Sequence, residues 1–368
     1  MSSFLLPTVD LWGKLKAETC PILIYGMGDG ADKLISRLEA LSIPYADVFA
    51  SDGFVRGQSF HGKRVLSFSE AIATYPHPVI LLSFATRLPN VIAQIESIAK
   101  KHTLYVPDMP VAGEDYFDLA LCSAHKAEIE QAEALFKDPT SRMIFWSAIE
   151  AKLTGSLDAL LRGADTPQES FFKLNPAHFT TAFDAGAYNG DTIKTLLPCA
   201  PHLENIIALE PDPHTFARLE GYASQINAPI IKAVWGAAWH EQTTLPFSKK
   251  GNRGSHTGKG GKTIDVPTYT IDQLCVDTKL DYLKFDVEGA EKNALEGAKE
   301  TIRKCRPSIL LSLYHRAEDL FALPLQLSSM CPNYTFYLQR TLCLPCWELN
   351  LLAVPCEKML PEIERNHS

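Results

Sequence analysis

Phe183-Asp184-Ala185-Gly186-Ala187-Tyr188-Asn189-Gly190-Asp191-Thr192 is the stretch that decides the fold of this chain. An apolar run starting at Thr180 ends in a glycine turn and passes straight into a helical pattern, as a βα unit of a parallel sheet does. Gly186 and Gly190 leave room for a ligand near the backbone, and amides at the helix start can receive its polar groups. Twenty residues after Gly190 the next apolar run ends at Glu210, in Ala208-Leu209-Glu210-Pro211-Asp212-Pro213. A carboxylate there can accept hydrogen bonds from both ribose hydroxyls of a nucleoside cofactor. Asp212 is better placed than Glu210 to cap the helix that begins near Pro213.

Which nucleoside follows from the turn and its charges. The spacing is Gly-x-x-x-Gly, without the compact Gly-x-Gly-x-x-Gly that seats a pyrophosphate on a helix terminus. Asp184 and Asp191 would oppose a pyrophosphate, yet they suit the amino group and the positive sulfonium of S-adenosylmethionine. Outward from this unit the runs PIIKAVWGAA (229–238), LDYLKFDVEG (280–289), SILLSLYH (308–315), YTFYLQ (334–339) and ELNLLAVP (348–355) continue a strand series with helical segments between most of them. Along Lys284-Phe285-Asp286-Val287-Glu288 the period of a strand puts Lys284, Asp286 and Glu288 on one side. A central parallel strand is normally apolar on both faces, so three charges at its C-terminal end mark a cleft. A buried Lys284–Asp286 ion pair with Glu288 at a helix start is the purely structural alternative. His315 ends the next strand, and its imidazole can accept a proton near neutral pH.

The runs DYLKFDVEGAEKNALEGA (281–298) and SILLSLYHRAEDLFALP (308–324) resemble the hallmark of FkbM-type methyltransferases, as do FDAGAYNGDT, ALEPDP and GNRGS (251–255). The resemblance covers about residues 168 to 340. It implies a class I methyltransferase sheet and methyl transfer from S-adenosylmethionine to a hydroxyl oxygen of a small molecule or glycan, with a sugar as the leading acceptor. The expected cofactor residues are Asp184, Gly186, Tyr188, Gly190, Asp191, Thr192, Glu210, Pro211 and Val234. The expected catalytic residues are Asp286 and His315 as base candidates, Lys284 orienting the carboxylate or substrate, and Glu288 in support together with Glu291. A sulfonium needs no metal to activate it, so no metal ligand is assigned. A divalent ion on Asp286, Glu288 and His315 is the alternative.

The N-terminal half repeats α/β behaviour over residues 21 to 108, with strands in PILIYG, PYADVFASD, PVILLSF and TLYVPD. Its loop Gly26-Met27-Gly28-Asp29-Gly30-Ala31 and Asp52 approach a dinucleotide fingerprint. Gly57, Phe60, Gly62 and Val65 follow an order resembling nucleotide-sugar-binding domains. A nucleotide or nucleotide-sugar is thus an expected candidate partner there, against a degenerate fold that only positions substrate. Residues 111 to 175 turn helical, with a break at Asp138-Pro139. The expected division is a Rossmann-like domain over 1–110, a helical connector over 111–175 and the methyltransferase domain over 176–368. The polar, glycine-rich segment Ser248–Lys262 cannot build core, and its part from Asn252 to Gly261 is expected to close as a lid.

Composition narrows the partners. At 46% hydrophobic and 21% charged residues the chain is an ordinary globular one, and its 368 residues suit two domains. A net charge of -8 with scattered Lys and Arg offers no footprint for nucleic acid. Without a signal-like start or a long apolar run, a cytoplasmic location is expected. Nine cysteines fit reduced thiols, and Cys331, Cys343, Cys346 and Cys356 lack the two close pairs of a zinc site. Two other functions compete: a nicotinamide-dependent oxidoreductase using the N-terminal loop, and a non-catalytic binder of S-adenosylmethionine or a sugar nucleotide. The first leaves Glu210 and the Lys284–Glu291 segment unexplained, and the second leaves the candidate catalytic groups without a task.

Overall fold

The computed structural model describes residues 6–164, 171–248 and 263–359, so the expected lid lies outside the described residues. Five short parallel strands come first: β1 (Ile22–Tyr25), β2 (Asp47–Ala50), β3 (Leu66–Ser67), β4 (Val79–Leu82) and β5 (Thr103–Tyr105). They form a sheet in the order β3-β2-β1-β4-β5. Helices cover both faces, and the period of two decides which residue meets which helix. Ile22 and Ile24 face α1 (Asp29–Ala40), whose Ala31, Leu34, Ile35 and Leu38 make one apolar stripe. Leu23 and Tyr25 share a second core with Ile92, Ile95 and Ile98 of α2 (Pro89–Ala99).

The helical stretch contains α3 (Leu119–Ala124), α4 (Lys126–Leu135), α5 (Pro139–Thr154) and α6 (Leu157–Leu161). The expected break at Asp138-Pro139 is the start of α5: Asp138 accepts the Ser141 N–H, and Pro139 sits where a missing N–H costs nothing. Gly155, in the left-handed region at φ 65°, ends the helix. A buried ion pair of 2.9 Å between Lys152 and Asp108 ties α5 to the segment leaving β5.

The second sheet has seven strands: β6 (Thr181–Ala185), β7 (Asn205–Glu210), β8 (Ile230–Trp235), β9 (Tyr282–Phe285), β10 (Ser308–Ser312), β11 (Tyr334–Arg340) and β12 (Leu349–Pro355). Their order is β8-β7-β6-β9-β10-β12-β11, parallel except for β12, which runs antiparallel to both neighbours. Order reverses between β6 and β9, the position where an open α/β sheet leaves a crevice. Leu283 and Phe285 pack on one face with Phe183 and Leu209, and Tyr282 packs on the other with Ala182 and Leu310. The larger core is continuous from Leu23 and Ile80 through Phe145 and Ile149 of α5 to Leu283 and Leu311. No helix among the described residues is long and apolar enough to cross a membrane.

Candidate active site

Strands β6, β7 and β9 bring their C-terminal ends to one rim, and the crossing of two loops there fixes the site. Gly186 follows β6 with φ 80°, and a Cβ on it would lie 1.8 Å from the Asp286 carbonyl oxygen. The backbone after β9 therefore occupies the space beside that glycine. A cavity of about 890 Å³ opens over this crossing, lined by Gly186, Tyr188 and Glu210 on one side and by Lys284, Asp286 and Glu288 on the other.

On the first side Glu210 ends β7 and is buried at 6% exposure. Its two oxygens accept the N–H groups of Tyr188 and Asp212, each at 2.9 Å. Two acceptor positions remain on the carboxylate for a diol, so the residue fits the ribose of a nucleoside. Burial pushes its carboxyl up to about 7 against those two N–H groups. The helix beginning at Pro213 is capped by Asp212, which accepts from His214 and Thr215, so Glu210 has no capping duty there. Asp191, Thr192 and Pro211 also line the cavity. Gly190 instead starts the helix Asp191–Leu196 at φ 82°, and its missing Cβ makes way for the Tyr222 ring. Asp184 lies behind the cavity against Lys284, while Val234 on β8 packs against the larger core.

The second side is a ladder of charges. Lys284, 5% exposed, sits 3.1 Å from Asp184 and 3.5 Å from Asp286. Burial works against its charge, but the two carboxylates hold the ammonium well above its usual range. Asp286 also accepts hydrogen bonds on Oδ1 from Ser312 and Tyr314, at 3.1 and 3.0 Å. Although burial works the other way, Lys284, His315 and those hydroxyls hold the Asp286 carboxyl below its ordinary value. Asp286 is ionised at neutral pH.

Strand β9 stops at Phe285, so Glu288 is not the strand residue that simple alternation would make it. It stands in a tight turn at φ 52°, a conformation uncommon for a residue with a side chain, stabilised as Glu291 accepts the Val287 N–H at 2.8 Å. Burial pushes the Glu288 carboxyl up to about 8 despite the neighbouring His315. Two carboxyls on one rim thus have opposed protonation, the arrangement that assigns distinct acid and base roles.

His315 lies beyond the end of β10, is 1% exposed and does not line the cavity. Its Nδ1 is 2.9 Å from Glu291, and its Nε2 is 3.5 Å from Asp286 and 3.7 Å from Glu288. Burial would lower its pKa, but those three carboxylates carry it up to about 10. The ring is an imidazolium that neutralises its neighbours. Glu291, His315 and Asp319 offer ligand-type atoms within 4.8 Å of one another, a grouping different from the Asp286, Glu288 and His315 set considered from sequence. There the Arg316 N–H already binds Asp319 at 2.8 Å, and burial with Glu291 pushes the Asp319 carboxyl up to about 8.

Keeping Glu288 protonated has a measurable cost. Its pKa rises from 4.5 to about 8 on folding, so the stability tied to the retained proton is full below 4.5 and is lost as pH rises toward 8. Glu288→Gln, which carries no charge to bury, should therefore gain on the native chain in melting temperature between about pH 5 and about pH 8. Parallel melting curves across that range, showing no widening gap, would refute the assignment.

Sequence reasoning missed Ser312 and Tyr314, although alternation from β10 puts both on one side. It also missed the wall formed by Arg87, Trp347 and Glu348. In the N-terminal loop, a Cβ on Gly30 would lie 2.2 Å from the Ser83 carbonyl oxygen, and one on Gly26 would strike Ser83 and Phe84. Both carboxylate oxygens of Asp52 are engaged by Ser69. Packing accounts for these features of the fingerprint. The thiols of Cys331 and Cys343 are pushed up to about 12 by burial, as core cysteines are.

Residues 184–336 match the family model described as Methyltransferase FkbM domain. No curated protein matches the chain by sequence. Among solved structures the chain is similar to methyltransferase FkbM from Methylobacillus flagellatus, at 20% identity and a TM-score of 0.70 over 92% of each chain. That likeness is one of fold and spans both sheets. Smaller overlaps occur with precorrin-6y C5,15-methyltransferase from Geobacter metallireducens (11% identity, TM-score 0.33, 50% of this chain and 83% of that one). Fibrillarin from Aeropyrum pernix, natively bound to S-adenosyl-L-methionine, overlaps similarly (11% identity, TM-score 0.32, 50% and 73%).

Proposed function

Because residues 184–336 match the model of the FkbM methyltransferase domain, we propose that this S-adenosylmethionine-dependent methyltransferase methylates a hydroxyl oxygen of a small molecule or glycan, with a sugar as the leading acceptor. The observation that carries this reading is the single cavity with Glu210 on one wall and the oppositely protonated pair Asp286 and Glu288 on the other. Glu210 would hold the ribose, with Tyr188, Asp191, Thr192 and Pro211 around it. S-adenosylmethionine, when bound, supplies a methyl group on a sulfonium, so the protein need only place the acceptor oxygen and remove its proton.

Placement falls to Asp286. Its carboxylate is fixed by Lys284, Ser312 and Tyr314, and it faces the cavity as an acceptor for the substrate hydroxyl. Proton removal falls to Glu288, whose raised pKa makes its ionised form the stronger base of the two. His315 acts on both through its charge, from behind the wall. A cytoplasmic setting is part of this proposal, since the nine cysteines of the sequence follow no disulfide-type spacing.

The cofactor half of the proposal is tested by calorimetry on the full chain. S-adenosylhomocysteine should bind, and Glu210→Ala should weaken it by about ten- to a hundredfold, the worth of hydrogen bonds to a charged group. Preference for NAD, or unchanged affinity in the variant, would overturn it and favour the oxidoreductase reading.

A further inference from the structure

We infer that the N-terminal α/β unit builds one wall of the acceptor pocket, and that this wall, gated by the Arg87–Glu348 pair, selects an uncharged, hydroxyl-rich acceptor over an anionic one. The inference rests on reading the cavity as the methyltransferase site and adds to it the acceptor class and the residues that choose it.

The position of the wall follows from topology. The loop after β4 lies at the C-terminal end of a central parallel strand, the edge where such a sheet ordinarily presents its own ligand site. Here that edge is docked on the second sheet instead. Thr86 and Leu344 exchange backbone hydrogen bonds of 2.8 and 3.0 Å, an isolated antiparallel bridge between the two halves of the chain. One residue on, Arg87 pairs with Glu348 at 2.9 Å. Thr86, Arg87 and Leu88 line the same cavity as Asp286 and Glu288. Glu348 is held at φ 59°, so the residue facing Arg87 is placed by a turn that few side chains adopt.

Charge sets the acceptor class. Among the described residues the carboxylates of Asp191, Glu210, Asp212, Asp286 and Glu348 and the protonated Glu288 line the cavity, against two cations, Arg87 and Lys284. Lys284 is committed to Asp184 and Asp286, and Arg87 to Glu348. A phosphate or carboxylate on the acceptor would meet carboxylates with no unengaged cation among the described lining residues to receive it. What the second sheet offers beside that wall is neutral. Gln339, Thr341 and Asn350 form an amide and hydroxyl network, and Trp347 brings an indole face whose Nε1 has no hydrogen-bond partner. A ring carrying hydroxyls matches such a surface, since it stacks on an aromatic and both donates and accepts.

The test uses the full chain, tritium-labelled S-adenosylmethionine, and a panel of methyl hexopyranosides with their uronate and 6-phosphate counterparts. Label should enter the uncharged members at least about a hundredfold faster than the anionic ones, the scale of placing like charges together. Arg87→Ala should raise KM for the uncharged acceptor by about tenfold or more with kcat changed far less, and S-adenosylhomocysteine affinity should stay within about twofold. Because a single charge loss can act through folding, the reversed pair Arg87→Glu with Glu348→Arg should recover KM relative to Arg87→Glu alone. Preference for uronates or phosphates, an unchanged KM in Arg87→Ala, or label in no member of the panel while S-adenosylhomocysteine still binds would overturn this inference alone. Failure of S-adenosylhomocysteine to bind the native chain would instead overturn the reading on which it rests.

Discussion

Glu288→Gln is expected to slow methyl transfer by ~10²- to 10⁴-fold, the usual worth of general-base assistance, with S-adenosylhomocysteine affinity nearly intact. The native enzyme should show kcat/KM rising with pH through a limb near 8, because Glu288 holds its proton below that value and can accept one only above it. In Glu288→Gln the limb should vanish along with the rate. Asp286→Asn should also be slow, but it should keep the limb, because Asp286 is already ionised throughout this range and acts by orienting the acceptor. His315→Ala should shift the limb upward, since removing an imidazolium leaves Glu288 among uncompensated carboxylates. A limb that survives in Glu288→Gln and disappears in Asp286→Asn would reverse the two roles. Activity lost on chelation and restored by a divalent ion would replace base catalysis with metal activation of the hydroxyl.

Gly186→Ala should be nearly as damaging, for a purely steric reason. An added Cβ would sit 1.8 Å from the Asp286 carbonyl oxygen, against backbone rather than a yielding side chain, and at φ 80°. The strain of the left-handed region alone is about 1–2 kcal/mol. Separation of the two loops by more than an ångström must follow, and a misplacement of about 1 Å is enough to cost ~10²-fold in rate. The expected result is a lower melting temperature together with at least that loss of turnover. Gly221→Ala is the control, since it lies in the helix Pro213–Ala223 with no atom within 4 Å of the added Cβ. It should turn over like the native chain and melt no lower, since alanine suits a helix better than glycine. A Gly186→Ala protein that turns over normally would show that the crossing is not what positions Asp286.

Features set by local sequence and features set by burial separate along one physical line. Strand runs, the glycine turn, the cap at Asp212 and the Lys284–Asp286 pair depend on neighbours close in sequence or on a regular period, and these were legible, whereas the shorter Lys284–Asp184 pair spans two strands 100 residues apart. The rim chemistry depends on burial, which a sequence does not carry. His315 is a reasonable base on its reference pKa, yet three carboxylates from 286, 288 and 291 close around it and make it a fixed cation. Glu288 looked like a supporting residue because its raised pKa comes from desolvation. Arg87 and Glu348 are separated by most of the chain, and only the docking of one sheet edge on the other brings them together.

The N-terminal glycine loop is a pattern open to two readings. Its spacing suits a nucleotide, but Gly26 and Gly30 make room for Ser83 and Phe84, and Asp52 is taken by Ser69. Close helix–strand packing is one of the reasons glycines occur at such turns, and a pattern alone cannot separate it from ligand binding.

A crystal structure of the full chain with S-adenosylhomocysteine would locate the nucleoside. Both ribose hydroxyls are expected within hydrogen-bond distance of the Glu210 carboxylate, and the sulfur turned toward the part of the cavity bounded by Asp286, Glu288 and Arg87. Density for the nucleoside at the Gly26–Gly30 loop instead, or a ribose that does not touch Glu210, would contradict this placement.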